Sequence, residues 1–246
     1  MQFMLIACEV FYRELCLAVA KTASTVDVTF LPKGMHVTPA VMRQALQDKI
    51  DAVDDNQFDA VLLGFGLCGN VAKGIVARSH SLVIPRTDDC IALFLGGRQR
   101  YIAEFTQHPG TYYYSSAAFE RSTDTEGSGA LGAEVTNKEE KYREYVERYG
   151  EENAKYLMEV EMSWSQHYTR AAYLRVPELD HLGYGAKVAD KARSLGLDYC
   201  TIDADLSYLE RLLSGSWSEQ EFLLVPPGHR IEATYDDHVL KAVPLE

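Results

Sequence analysis

The chain has 246 residues, 47% hydrophobic and 24% charged, with 24 Lys and Arg against 36 Asp and Glu for a net charge of −12. These are ordinary globular values, and they exclude a disordered chain, a collagen-like chain and a small disulfide-stapled scaffold. The acidic balance argues against nucleic acid and anionic membranes as partners, and no apolar run reaches the ~18 residues of a membrane span. The start, Met1-Gln2-Phe3-Met4-Leu5-Ile6-Ala7-Cys8-Glu9, lacks the basic region of a signal peptide and reads as a first strand, so the expected location is the cytoplasm.

In chain order, Phe3 to Ala7 is a short apolar run that suits a buried parallel strand. A helix is expected from about Phe11 to Lys21, a strand over Val26 to Leu31, and a second helix from Thr38-Pro39 to about Val53. Phe58 to Phe65 reads as strand, Gly66 to Asn70 as turn, and a short helix is expected near Val71. Ser81 to Pro85 reads as strand, Arg86 to Cys90 as turn, and Ile91 to Phe105 as one helix. This alternation is the sequence form of a parallel sheet with right-handed crossovers.

Thr111 to Tyr114 reads as a fifth strand. Glu120 to Gly132 is a polar loop, and Lys138 to Trp164 forms two helices separated at Gly150. The alternation resumes with strands over Ala171 to Val176, Leu197 to Ile202 and Phe222 to Val225, and helices over Tyr184 to Leu195 and Leu206 to Leu213. The expected fold is a single α/β domain over residues 1–246, with a mainly parallel, doubly wound sheet and a loop and helical insertion at 120–168.

Ligands of open parallel sheets bind beyond the carboxyl ends of the strands. Of the five cysteines, Cys8, Cys68 and Cys90 fall at such ends, whereas Cys16 lies in a helix and Cys200 in a strand. An odd number in a chain expected in the cytoplasm does not suggest a disulfide framework. Three convergent thiolates make a soft-metal site with a vacant position. Zinc with three protein ligands keeps its fourth place for water or substrate, and a [4Fe–4S] cluster on three cysteines leaves one iron open. Zinc is favoured as needing fewer assumptions. The opposing reading is three small buried residues, a common habit of free cysteine.

Gly64-Phe65-Gly66-Leu67-Cys68-Gly69 matches the dinucleotide pattern G-x-G-x-x-G, with Asp88 and Asp89 further on for a ribose contact. The motif sits on the third strand rather than the first, and a further strand separates it from the acidic pair. The alternative is a tight turn in which Gly66, Gly69 and Asn70 let the backbone approach a ligand. One of Asp88 and Asp89 is expected to cap the next helix, leaving the other for acid–base work or support of a ligand. Arg86 can bind an anionic substrate group or pair with an aspartate. A second cluster, Trp164 to Arg170, offers His167 as proton carrier or fourth ligand, and Trp164 with Tyr168 as pocket walls. Its alternative is a packed helix end. Gly-x-Ser-x-Gly, Walker A and H-E-x-x-H motifs are absent from the sequence.

The segments Leu5-Ile6-Ala7-Cys8, Gly66-Leu67-Cys68-Gly69, Val83 to Gly96 and Val225-Pro226-Pro227-Gly228 resemble the signature segments of a prokaryotic family known only by a domain-of-unknown-function label. The resemblance spans nearly the whole chain and is most specific from Ile84 to Gly96. Its members are often found among corrinoid-dependent methyltransferase genes, so the resemblance implies a link to one-carbon metabolism. It carries over to Cys8, Cys68, Cys90, Asp88 and Asp89.

The expectation is therefore a metal-dependent enzyme acting on a small molecule, with methyl transfer as the reaction class that the resemblance implies. The metal is held by Cys8, Cys68 and Cys90, and Asp89 or His167 serves as acid, base or extra ligand. The alternative is a non-catalytic accessory protein that binds a corrinoid protein or methyltransferase partner, or carries metal to it, through the acidic helices.

Overall fold

The structure is a computed structural model and describes residues 1–54, 57–121, 131, 138–162 and 167–245. The chain opens with β1 (Gln2–Cys8), α1 (Tyr12–Lys21), β2 (Thr25–Leu31), α2 (Pro39–Asp51), β3 (Ala60–Gly64) and β4 (Leu82–Pro85). Next come α3 (Cys90–Phe94), α4 (Arg98–Gln107), β5 (Thr111–Tyr114), α5 (Ser116–Glu120), α6 (Lys138–Tyr149) and α7 (Glu151–Met162). Then follow β6 (Arg170–Arg175), α8 (Tyr184–Leu195), β7 (Asp198–Asp203), α9 (Ser207–Leu213), β8 (Phe222–Val225), β9 (His229–Ala233) and β10 (Leu240–Pro244).

The main sheet has the order β2-β1-β3-β4-β8. The first four strands are parallel, and β8 closes the edge antiparallel to β4. The central strands β3 (AVLLG) and β4 (LVIP) are buried at every residue, as expected where both faces of a parallel sheet are covered. The edge strand β2 is more exposed, because only one side of it is paired.

The fifth, sixth and seventh strands do not extend this sheet. They form a second, all-parallel sheet of order β5-β6-β7. Its alternating side chains serve two cores. Tyr113, Ala172 and Leu174 join the main core, while Tyr112, Tyr114, Ala171 and Tyr173 pack with Val188 and Ala192 of α8. The architecture is thus α/β with mostly parallel strands, and β9 and β10 add an antiparallel pair.

Two local expectations differ from the structure. The helix expected over Ile91 to Phe105 is broken into α3 and α4 at Gly96-Gly97, where Asp205 fills the space that a side chain on Gly96 would need. No helix forms at Val71; the segment continues as turn. The two central helices separate at Gly150 as expected. Most of the loop expected from Glu120 to Gly132 lies outside the described residues.

The carboxyl ends of the two sheets meet. After β5, α5 packs against Glu9–Phe11, the turn that follows β1. After β7, Asp205 bridges Leu95 beyond α3. Arg13 ties the junction to Glu120 through two hydrogen bonds of 2.8 Å. Among the described residues, no helix is long and apolar enough to cross a membrane.

Candidate functional site

The site grows from the turns beyond β1, β3 and β4. Cys8 is the last residue of β1 and is buried. Beyond β3, the backbone reaches over the turn that follows β4: Leu67 N–H donates to Thr87 O and Cys68 N–H to Asp88 O, both at 2.9 Å. Gly66 permits this approach. A Cβ there would lie 2.7 Å from Thr87 Oγ1 and 2.9 Å from Thr87 O.

The turn then runs through three successive left-handed residues, Cys68 (φ 46°), Gly69 (φ 63°) and Asn70 (φ 70°). Left-handed geometry costs roughly 1–2 kcal/mol for a residue with a Cβ and normally occurs singly. Such strain persists only where the surroundings enforce it, and it concentrates at functional segments.

Beyond β4, Asp89 is the aspartate that caps α3. Its Oδ1 accepts from Ile91 N–H at 2.9 Å and Ala92 N–H at 3.3 Å, and its Oδ2 accepts from Tyr101 OH at 3.1 Å. Cys90 is thereby fixed as the first residue of α3. Asp88 pairs with Arg98 at 3.0 Å, and Arg98 also holds Asp237 at 3.1 Å.

The three thiols share one electrostatic neighbourhood. Burial raises Cys8 first of all, with Cys68 adding to the shift. Burial and then the Asp89 carboxylate push Cys68 up to about 12, while the nearby main chain of Gly66 and Cys90 opposes the rise. Cys90 is raised by burial and then by Cys68, Asp89 and Cys8. Burial also raises Asp89. The thiols are therefore held protonated unless something positive joins them.

Cys8 has a neighbour that no motif announced. His36, in the turn Lys33–Val37 after β2, places Nε2 3.3 Å from Cys8 Sγ. Its imidazole is held neutral by burial. The only sequence signal was topological: β2 is the other neighbour of β1, so its following turn shares the same edge.

The donor set is chemically soft, three thiols and an imidazole, and suits zinc or iron–sulfur chemistry. The Thr87 hydroxyl is buried at this turn with no hydrogen-bond partner among the described residues. As placed, no group of three or more His, Cys, Asp and Glu among the described residues is arranged to hold a metal ion. The donors fit a metal in kind and in shared edge, and closing around one requires the thiols to turn toward each other.

The other candidates divide. Gly66 is buried in the turn, and Gly69 and Asn70 are exposed at its tip. Arg86 spends its guanidinium on the carbonyls of Phe222 at 3.3 Å, His238 at 3.0 Å and Leu240, so its role here is to tie β4 to the C-terminal strands. His167 is exposed, with its carbonyl against Gly110 at the amino-terminal end of the second sheet. Tyr168 is half-buried and meets Tyr112 edge-on, centroids 4.8 Å apart. Trp164 lies outside the described residues. Cys16 is exposed on α1, and Cys200 lies within β7. The dinucleotide pattern lacks the helix whose N-terminus would receive a pyrophosphate, since Val71 continues the turn.

No curated protein and no solved structure matches the chain. A family model described as "Protein of unknown function (DUF1638)" matches residues 30–213, a span that contains His36, Cys68, Asp88, Asp89 and Cys90 but not Cys8. With well over half of its length matched, the chain belongs to the DUF1638 family.

Proposed function

We propose that this chain is an enzyme built around a soft-metal centre held by Cys8, Cys68 and Cys90, acting on a small molecule, with methyl or one-carbon transfer as its reaction class. The observation that carries the reading is the placement of Cys8, Cys68 and Cys90 at or just beyond the carboxyl ends of β1, β3 and β4, neighbouring strands of the main sheet. A bound metal keeps thiolates deprotonated at neutral pH, and a zinc centre activates a substrate thiol for alkyl transfer. Zinc is the favoured occupant and a [4Fe–4S] cluster the second.

The chain's own residues position the centre. Asp89 fixes Cys90 by capping α3, and the Cys68 N–H donates to Asp88 O at 2.9 Å, which fastens the turn after β3 to the one after β4. The exposed turn Gly69-Asn70 and the Asp88–Arg98 pair form the rim where a small polar substrate would enter. His167 lies at the amino end of the second sheet, which leaves Asp88 and Asp89 as the carboxylates beside the reaction.

We read the chain as a single cytoplasmic domain with residues 120–168 as an insertion, without nucleic-acid partners. The second reading, an accessory protein that handles metal or cofactor for a corrinoid methyltransferase system, draws on the α6–α7 pair. These helices pack mainly on each other, with Tyr149 and Tyr156 exposed at 51% and 65%; α6 balances its charges, while α7, with four Glu to one Lys, supplies the acidity of an aromatic docking face.

Anaerobic metal analysis of the wild type and Cys68→Ser tests the centre: the variant loses the metal, and unchanged content contradicts the site. Methyl transfer by the protein alone, then with a corrinoid partner, separates the two readings. Turnover alone supports the enzyme; no turnover with tight, salt-sensitive partner binding supports the accessory role.

A further inference from the structure

A ligand-sized space lies away from the cysteines, on the second sheet. Strands β6 and β7 are adjacent and parallel, and α8 connects them and packs on both. Side chains alternate along a strand, so Tyr173 and Arg175 of β6 share with Tyr199, Thr201 and Asp203 of β7 the face that α8 covers. Between these side chains and Gly185 in the first turn of α8 lies a space of about 490 Å³, within the range of small-molecule sites. We propose that this space binds a ribonucleoside, with Asp203 accepting hydrogen bonds from the ribose hydroxyls and Tyr199 offering its ring to the base.

Topology gives Asp203 its part. Ligands of parallel sheets bind beyond the carboxyl ends of the strands. In dinucleotide-binding units, an acidic residue about 20 positions beyond the glycines that open the helix takes the ribose 2′-OH. Here Gly183 immediately precedes α8, and Asp203, at that distance from it, is the last residue of β7. Gly185 is set by packing: a Cβ there would lie 3.3 Å from the Tyr199 hydroxyl oxygen and 3.4 Å from the Tyr173 ring. The glycine thus seats α8 against both tyrosines.

Charge and connection length select a nucleoside over a polyphosphate. Arg175 Nε donates to Asp203 Oδ1 at 2.7 Å, and its Nη1 stands 3.7 Å from Asp180. Two carboxylates outnumber one guanidinium, and the amino end of α8 adds only about half a positive charge. The connection from β6 to α8 also holds the helical turn Pro177–Leu182, so it is not the tight glycine turn that brings backbone against a pyrophosphate. The groups that remain suit hydroxyls and a ring. The Tyr199 and Thr201 hydroxyls lie 3.0 Å apart beside the Asp203 carboxylate, and the Tyr199 ring is 41% exposed, free to stack with a base.

Isothermal titration of the full chain with adenosine, guanosine, cytidine and uridine tests the proposal. At least one is expected to bind saturably, one per chain, and its 2′-deoxy counterpart about 10-fold more weakly. The 5′-triphosphate is expected to bind no tighter than the nucleoside. Asp203→Asn, which preserves size, is expected to weaken binding about 10-fold. Because this variant also gives up the charge that pairs with Arg175, Tyr199→Ala serves as the second: its loss of stacking is expected to weaken binding about 10-fold with the melting temperature little changed. The proposal is overturned if none of the four nucleosides binds saturably, if ribo and 2′-deoxy forms bind equally, if the triphosphate binds tighter, or if a folded Asp203→Asn or Tyr199→Ala keeps wild-type affinity.

Discussion

The carboxyl edge of the main sheet and the amino end of the second sheet both carry dense polar and aromatic sequence, yet the chain uses them differently. At the first, the turns after β3 and β4 are laced by main-chain bonds, hold three left-handed residues and set Cys68 and Cys90 at the same edge as Cys8. At the second, Arg170 pairs with Glu104 and donates to Thr111 Oγ1 at 2.9 Å, Tyr168 packs on Tyr112, and His167 faces solvent. The difference follows from topology. Parallel strands deliver the turns that follow them to one edge, where side chains from separate segments converge. At the amino end, the same residue types only return the chain to the sheet.

The sharpest way to break this contrast is Gly66→Ala. The added methyl meets the Thr87 backbone as well as its hydroxyl, so neither turn can yield without losing the bonds between them. Denaturant unfolding is expected to show a loss of about 3 kcal/mol, accompanied by loss of bound metal. A smaller effect with metal retained would show that the two turns are not rigidly packed.

Between pH 4.5 and about 8 the main pH response of stability is expected to come from outside both regions, from Glu14. This residue is fully buried in the first turn of α1, and its carboxylate oxygens lack a hydrogen-bond partner among the described residues. Burial raises its pKa from 4.5 to about 8. The folded chain therefore retains a proton that the unfolded chain releases. The associated stability is complete below the unfolded value of 4.5 and is lost as pH rises through about 8. The slope is about 1.4 kcal/mol per pH unit within that window. Glu14→Gln is expected to flatten it and to be the more stable protein at pH 8; an equal slope in both proteins would place the response elsewhere.

Asp89→Ala removes a helix cap and the acceptor of Tyr101 OH. A loss of about 1–2 kcal/mol is expected by thermal melting, with weaker metal retention because Cys90 begins the released helix. His167→Ala, at the other end of the comparison, is expected to change stability by less than about 0.5 kcal/mol and leave metal content untouched. A metal-depleted His167→Ala would erase the distinction between the two regions.

Much of the main sheet is legible in the sequence because buried parallel strands are short apolar runs: Phe3 to Ala7 and Ser81 to Pro85 nearly coincide with β1 and β4. Membership of a sheet is not legible in the same way. Thr111 to Tyr114 has the pattern of a strand wherever it pairs, and the pattern does not say that β6 rather than β4 or β8 is its partner. Gly96-Gly97 carried a break in the helix, but apolar periodicity on both sides hid it. At the site, Cys68 and Cys90 stand in turns marked by Gly and Asp, whereas His36 sits in a short turn with no ligand spacing and becomes visible only once β2 is placed beside β1.

The central claim is that topology divides the five cysteines into a working set and two bystanders. Metal quantification across five purified variants tests it most directly: Cys8→Ser, Cys16→Ser, Cys68→Ser, Cys90→Ser and Cys200→Ser, each prepared without oxygen. The account predicts that the first, third and fourth lose the bound metal while Cys16→Ser and Cys200→Ser retain wild-type content. Equal metal in all five variants, or loss on replacing Cys16 or Cys200, would contradict it.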